Sequence, residues 1–145
     1  MDDKPGYVWL NNCPALESEY KRPTVAEACY QEAKDELEPQ KQERLLKDGI
    51  GALRSTYEAL IVFELLNGVV LRFDERISFG RLGEIAWDKS IVDEIIRTCE
   101  RLSRYIEGHL HSDALDTVAD LCPSLLKEEI DKFYDVRKRL RALKN

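Results

Sequence analysis

The chain has 145 residues, 43% of them hydrophobic and 34% charged, which is enough for one domain with its own core and too apolar for a disordered segment. A net charge of −6 argues against general coating of nucleic acid but leaves room for a local basic patch. No apolar run reaches membrane-spanning length, Met1-Asp2-Asp3-Lys4 lacks a signal pattern, and Cys13, Cys29, Cys99 and Cys122 form no C-x-x-C pair, so the expectation is a cytoplasmic protein with reduced thiols.

Residues 1–23 lack helical periodicity. Pro5, Gly6, Asn11, Asn12, Pro14 and Pro23 punctuate them, and they read as an irregular arm or linker in which Tyr7 to Leu10 can form a short strand or a docking segment. Residues 24–145 read as one helical domain. Thr24 can cap a first helix through Leu37, ended by Pro39. A second helix is predicted from near Gln40 to Leu66, stopping at Asn67-Gly68. Its apolar stripe is Leu46, Ile50, Leu53, Tyr57, Leu60 or Ile61, and Leu65. Gly49 and Gly51 lie inside it and each costs up to ~1 kcal/mol relative to alanine, which predicts close packing or a kink. Val69 to Phe73 read as a further helical turn, and Asp74 to Gly83 as an ordered loop with a short helix.

The third long helix is predicted from Asp88 or Ser90 to Glu107. Val92, Ile95, Cys99, Leu102 and Ile106 alternate steps of three and four along it. Gly108 is a natural helix stop. Residues 112–123 read as a loop. Ser124 can cap the last helix, whose seam is Leu126, Ile130, Phe133, Leu140 and Leu143. Glu128, Glu129 and Asp131 sit near its start, and Arg137, Lys138, Arg139, Arg141 and Lys144 near its end, the order that the helix dipole prefers. The predicted fold is an all-α helical bundle.

The only two histidines, His109 and His111, follow the predicted end of the third helix, and Arg104 stands one turn upstream. An imidazole titrates near neutral pH and can take a proton from a ribose 2′-hydroxyl or give one to a leaving 5′-oxygen. A guanidinium fork can hold the phosphate and its transition-state charge. Together these suffice for RNA cleavage without a metal or other cofactor. On a continuous helix, positions five apart lie ~140° apart, so Arg104 and His109 converge only if the chain turns at Gly108 or a second subunit completes the site. The competing reading is a helix-end arginine in a surface ion pair, with two capping or packing histidines. His109, His111 and Asp113 alternate and could instead ligate a transition metal. Arg54 and Glu58 share a helix face at i,i+4, either as an ordinary ion pair or as a polar pair oriented into a cleft, with Glu58 positioning a histidine or Arg54 touching phosphate. The C-terminal cations could follow an RNA backbone or simply offset the helix dipole. No Walker A pattern, dinucleotide fingerprint, nucleophile elbow or H-E-x-x-H motif is present.

The segment Leu102-Ser-Arg-Tyr-Ile-Glu-Gly-His-Leu-His-Ser-Asp113 resembles a block of the HEPN ribonucleases, as do Leu53-Arg-Ser-Thr-Tyr-Glu-Ala-Leu60 and Asn67-Gly-Val-Val-Leu-Arg-Phe73. The likeness is greatest to the anticodon-nuclease branch, found in the C-terminal region of AAA/SMC-like ATPases of bacterial phage defence. It covers roughly residues 40–145. It implies a HEPN-like helical bundle, usually dimeric, with an Arg-x(4–6)-His motif. Arg104 matches the motif arginine, His109 the motif histidine with His111 competing for the role, and Arg54 and Glu58 the pair used beside it. It further implies metal-independent cleavage of RNA, perhaps tRNA, in a homodimer regulated by an ATPase domain or subunit. The alternative is a non-catalytic helical dimerisation or docking module of such a complex.

Overall fold

The computed structural model describes residues 20–69, 79–85, 87–107 and 121–144. Four helices form the body: α1 Thr24–Asp35, α2 Pro39–Leu60, α3 Lys89–Glu107 and α4 Pro123–Ala142. No strand occurs among the described residues, so the predicted all-α bundle holds. Cross-helix contacts set the directions. Arg101 of α3 binds Glu129 of α4 while Arg139 binds Glu94, so α3 and α4 run antiparallel. Glu64, just past α2, binds Arg141 while Gly49 abuts Leu126, so α2 and α4 run parallel. Both α1 and α3 pack on α2 and on α4, which makes the α2–α4 pair the spine of an up-down-up-down bundle.

Each helix boundary has a local cause. Pro23, fully buried, precedes α1. Tyr20, ahead of the predicted start at Thr24, also packs on the core. Thr24 makes no side-chain cap. The α1–α2 hairpin is tight because the Glu36 carboxylate accepts from Leu37 and Glu38 N–H groups, while Gln42 Nε2 donates to the Ala33 carbonyl at 2.9 Å. Past Leu60 the helix widens into a π turn, Ile61–Leu65. It stops where Asn67 (φ 50°) and Gly68 (φ 69°) turn left-handed, a geometry that favours Asn and Gly. The Asn67 side chain then donates to the Arg81 carbonyl, tethering a 3₁₀ turn at Phe79–Glu84. Helix α3 starts on Asp88, whose carboxylate accepts from the Ile91 N–H at 3.1 Å and from Ser90 Oγ. The Ser90 and Ile91 hydrogen bonds hold its carboxyl below the ordinary aspartate range. Helix α4 opens on Pro123 at its first position, with Ser124 making no cap.

The core is the inward stripe of all four helices. Leu46, Ile50, Leu53, Tyr57 and Leu60 of α2 meet Leu126, Ile130, Phe133, Val136 and Leu140 of α4. Tyr57 and Phe133 pack edge-on at a centroid distance of 5.1 Å. Leu143, predicted in the seam, is 44% exposed. Helix α3 buries Ile91, Ile95, Thr98 and Leu102, with Val92, Cys99 and Ile106 only half-buried along one edge. Ile95 and Leu102 are buried as predicted, and Ile91 and Thr98 join them because α3 packs on two neighbours and its buried arc is wide.

The two glycines of α2 separate. A Cβ on Gly49 would lie 2.7 Å from Leu126 Cδ2 and 3.1 Å from Cys29 Cβ, whereas one on Gly51 would meet nothing within 4 Å. Gly49 is where three helices close together. Urea denaturation of the two alanine variants is expected to give opposite signs. Gly49→Ala loses about 1–2 kcal/mol, because overpacking exceeds the propensity gain. Gly51→Ala gains up to ~1 kcal/mol.

Candidate functional site

Arg104 lies exposed on the last turn of α3. It shares its helix face with Arg97 and Arg101. Positions seven apart lie within ~20° of each other, and Arg101 is ~40° from Arg97. Arg54 and Glu58 lie on a different side. They are the α2 charges felt by the Cys99 thiol, which burial pushes up, with Arg54 opposing the rise and Glu58 adding to it. Cys99 precedes Arg104 by five positions, ~140° around α3. Among the described residues, then, the charges of Arg54 and Glu58 act on the Cys99 edge of α3, while Arg104 belongs to the arginine row. His109 and His111 lie outside the described residues, as does Asp113 of the metal alternative.

The arginine row borders a cleft of about 290 Å³ between α3 and α4, lined by Arg97, Thr98 and Arg101 on one wall and Lys132 and Arg139 on the other. Glu94 and Asp135 also line it and bind Arg139. Arg97 and Lys132 have no ion-pair partner among the described residues. Two cations therefore remain for an anion entering from solvent.

Arg101 anchors this wall. Its Nε and Nη2 donate to the two Glu129 oxygens at 2.6 and 2.7 Å. Glu129 is 1% exposed, so an otherwise costly buried carboxylate is matched by a bidentate fork. Arg101 also reaches Thr98 Oγ1 at 3.4 Å. This locks the guanidinium plane in place. Sequence reading missed the pair and assigned Glu129 to the helix dipole. The available signal was an acid at the third position of the Leu126-to-Phe133 stripe, where a solvated residue does not belong.

Beneath the pair, the Tyr57 hydroxyl is buried without a hydrogen-bond partner among the described residues. Burial, with Glu129 nearby, drives its phenol far above the ordinary range. An orphaned hydroxyl costs free energy that phenylalanine would not. Tyr57→Phe is therefore expected to raise stability by roughly 1 kcal/mol. A loss of that size in chemical denaturation would instead reveal a partner for the hydroxyl.

The C-terminal cations divide between faces. Arg139 turns to α3. Arg137 and Arg141, four apart, turn toward the α2 π turn and the residues before α1. Among the described residues no helix is long and apolar enough to cross a membrane. No protein-family model, curated protein or solved structure matches the chain.

Proposed function

We propose that this chain is a metal-independent endoribonuclease module of HEPN type, in which Arg104 holds the scissile phosphate and His109 or His111 moves the proton. The observation that supports this most is the guanidinium row Arg97, Arg101 and Arg104. It follows one face of α3 toward the chain segment that carries both histidines, beside a cleft with unpaired Arg97 and Lys132. Arg97 and Arg104 can each meet a phosphate of a polyanion, while Arg101, bound to Glu129, fixes the wall between them. An imidazole at its end removes the 2′-hydroxyl proton, the 2′-oxygen attacks phosphorus, and the P–O5′ bond breaks. The departing 5′-oxygen takes up a proton. The products are a 2′,3′-cyclic phosphate and a 5′-hydroxyl. A homodimer that joins two α3 ends would bring a second set of these groups to the phosphate. A tRNA substrate and an ATPase domain or subunit as regulator belong to the same proposal.

The test is incubation of the purified chain with total tRNA in excess EDTA. Cleavage that persists in chelator, leaves cyclic phosphate ends and disappears in His109→Ala or His111→Ala is the expected result. Intact tRNA at all protein concentrations, with a folded protein, overturns the proposal.

A second reading, a non-catalytic docking or dimerisation module, draws on exposed apolar side chains: Phe79 (75%), Trp87 (63%) and Ile96 (50%). Under it, Trp87→Asp and Ile96→Asp abolish assembly, and both histidine variants behave as wild type.

A further inference from the structure

We infer that the end of the bundle remote from Arg104 is a docking surface for single-stranded nucleic acid. Lys21, Arg22, Arg137 and Arg141 line a groove of about 230 Å³ with Phe63. An adjoining concavity of about 550 Å³ shares Arg137 and Arg141 and adds Lys138 and Tyr134. The combined lining holds five cations against one carboxylate, Glu64. That is a strong local excess in a chain of net charge −6. Glu64 is spent on Arg141, at 2.6 and 3.0 Å.

Of the other four cations, Lys21 and Arg137 are held by rings rather than by acids. Lys21 Nζ sits 4.3 Å from the Phe63 centroid, and the Arg137 guanidinium sits 5.0 Å from that of Tyr134. A cation seated on an aromatic face is positioned without being neutralised, so its charge stays available to a phosphate. A guanidinium held over a ring keeps edge donors for a phosphate, and the aromatic beside it can take an unpaired base. Duplexes keep base faces hidden, so the aromatic–cation pairs favour a single strand. The concave shape favours a chain-like polyanion over a membrane, because a planar headgroup layer would touch only the rim.

The surface is separate from the arginine row. Arg101 pairs with Glu129 and Glu94 with Arg139, so the level of Arg104 corresponds to the first turn or two of α4. From Leu126 to Arg137 is ~16 Å at 1.5 Å per residue. A strand must be several nucleotides long to reach both ends. Binding here goes beyond the proposed cleavage and does not depend on it.

Fluorescence anisotropy with a labelled 20-nucleotide single-stranded DNA tests the surface, because a strand without 2′-hydroxyls cannot be cut by 2′-oxygen attack. Wild type is expected to bind, with log K falling against log salt at a slope of about −2 to −3, as three or four phosphate contacts require. The pair Arg137→Gln and Lys138→Gln should weaken binding at least about tenfold and flatten that slope by more than 1. Tyr134→Phe should retain binding, and Tyr134→Ala should lose several-fold. The control pair Lys41→Gln and Arg44→Gln, at the other end of α2, should change nothing. Absence of binding at 50 mM salt overturns the inference. So does equal loss in the control pair, or capture by phosphatidylserine vesicles but not by the oligonucleotide. DNA binding that depends on Arg137, with tRNA left intact, removes the proposed ribonuclease and leaves this surface standing. tRNA cleavage without DNA binding does the reverse.

Discussion

Arg104→Ala is expected to slow RNA cleavage by about 10²–10³-fold, the usual cost of removing one preorganised donor from a developing oxyanion. Stability should change by no more than about 0.5 kcal/mol. Arg104 is exposed and has no ion pair among the described residues, so its removal costs little beyond a favourable charge at the α3 C-terminus. The combination matters more than either number. A residue kept for folding would lower stability when replaced, and one kept for solubility would leave the rate alone. Arg104→Lys should recover only part of the rate, because a point charge does not replace a planar fork on phosphate. Single-turnover cleavage beside urea denaturation gives both readings on the same preparations.

The second large effect belongs to folding. Arg101→Ala leaves the Glu129 carboxylate, 1% exposed, without its bidentate partner. The expected loss is about 3 kcal/mol, the lower end of the range for half of a buried pair, because the Arg101 side chain is itself 28% exposed. Replacing both partners, as Arg101→Met with Glu129→Met, should recover most of that loss, since no unpaired charge is then left inside. The double-mutant cycle is therefore strongly non-additive. A double variant as unstable as the sum of the singles would show that each side chain contributes by packing alone. The same pair fixes the guanidinium wall of the α3–α4 cleft. The apolar double variant should thus fold well and yet bind anions more weakly.

The all-α class and the approximate extent of the long helices were legible because their signals are local. The Asn67-Gly68 stop needs only the left-handed tolerance of those residues. The α2 stripe from Leu46 to Leu65 needs only a 3.6-residue period. Gly49 was legible as a point of close packing, but Gly51 carried the same signal and packs against nothing. Composition cannot tell which of two neighbouring glycines faces another helix. The π turn at Ile61–Leu65 has no marker in the residue pattern.

The site was less legible because its geometry is tertiary. Arg101 and Glu129 are 28 positions apart and meet only when α3 lies antiparallel to α4. The resemblance grouped Arg54 and Glu58 with Arg104. Their charges act on the Cys99 thiol of α3, while Arg104 falls in line with Arg97 and Arg101. The C-terminal cations read as one cluster, but adjacent helix positions differ by ~100°. Arg139 and Arg137 consequently serve different grooves.

The proposed chemistry requires one phosphate to be shared by the Arg104 guanidinium and an imidazole from the segment after α3. With only two histidines in the chain, imidazole resonances in a ¹H–¹⁵N spectrum report on it directly. Titration with an uncleavable 2′-deoxy oligonucleotide should shift one imidazole in the wild type, and that shift should vanish in Arg104→Ala while binding at the α4 end persists. An oligonucleotide that binds and perturbs neither imidazole, or perturbs them equally without Arg104, would contradict the account.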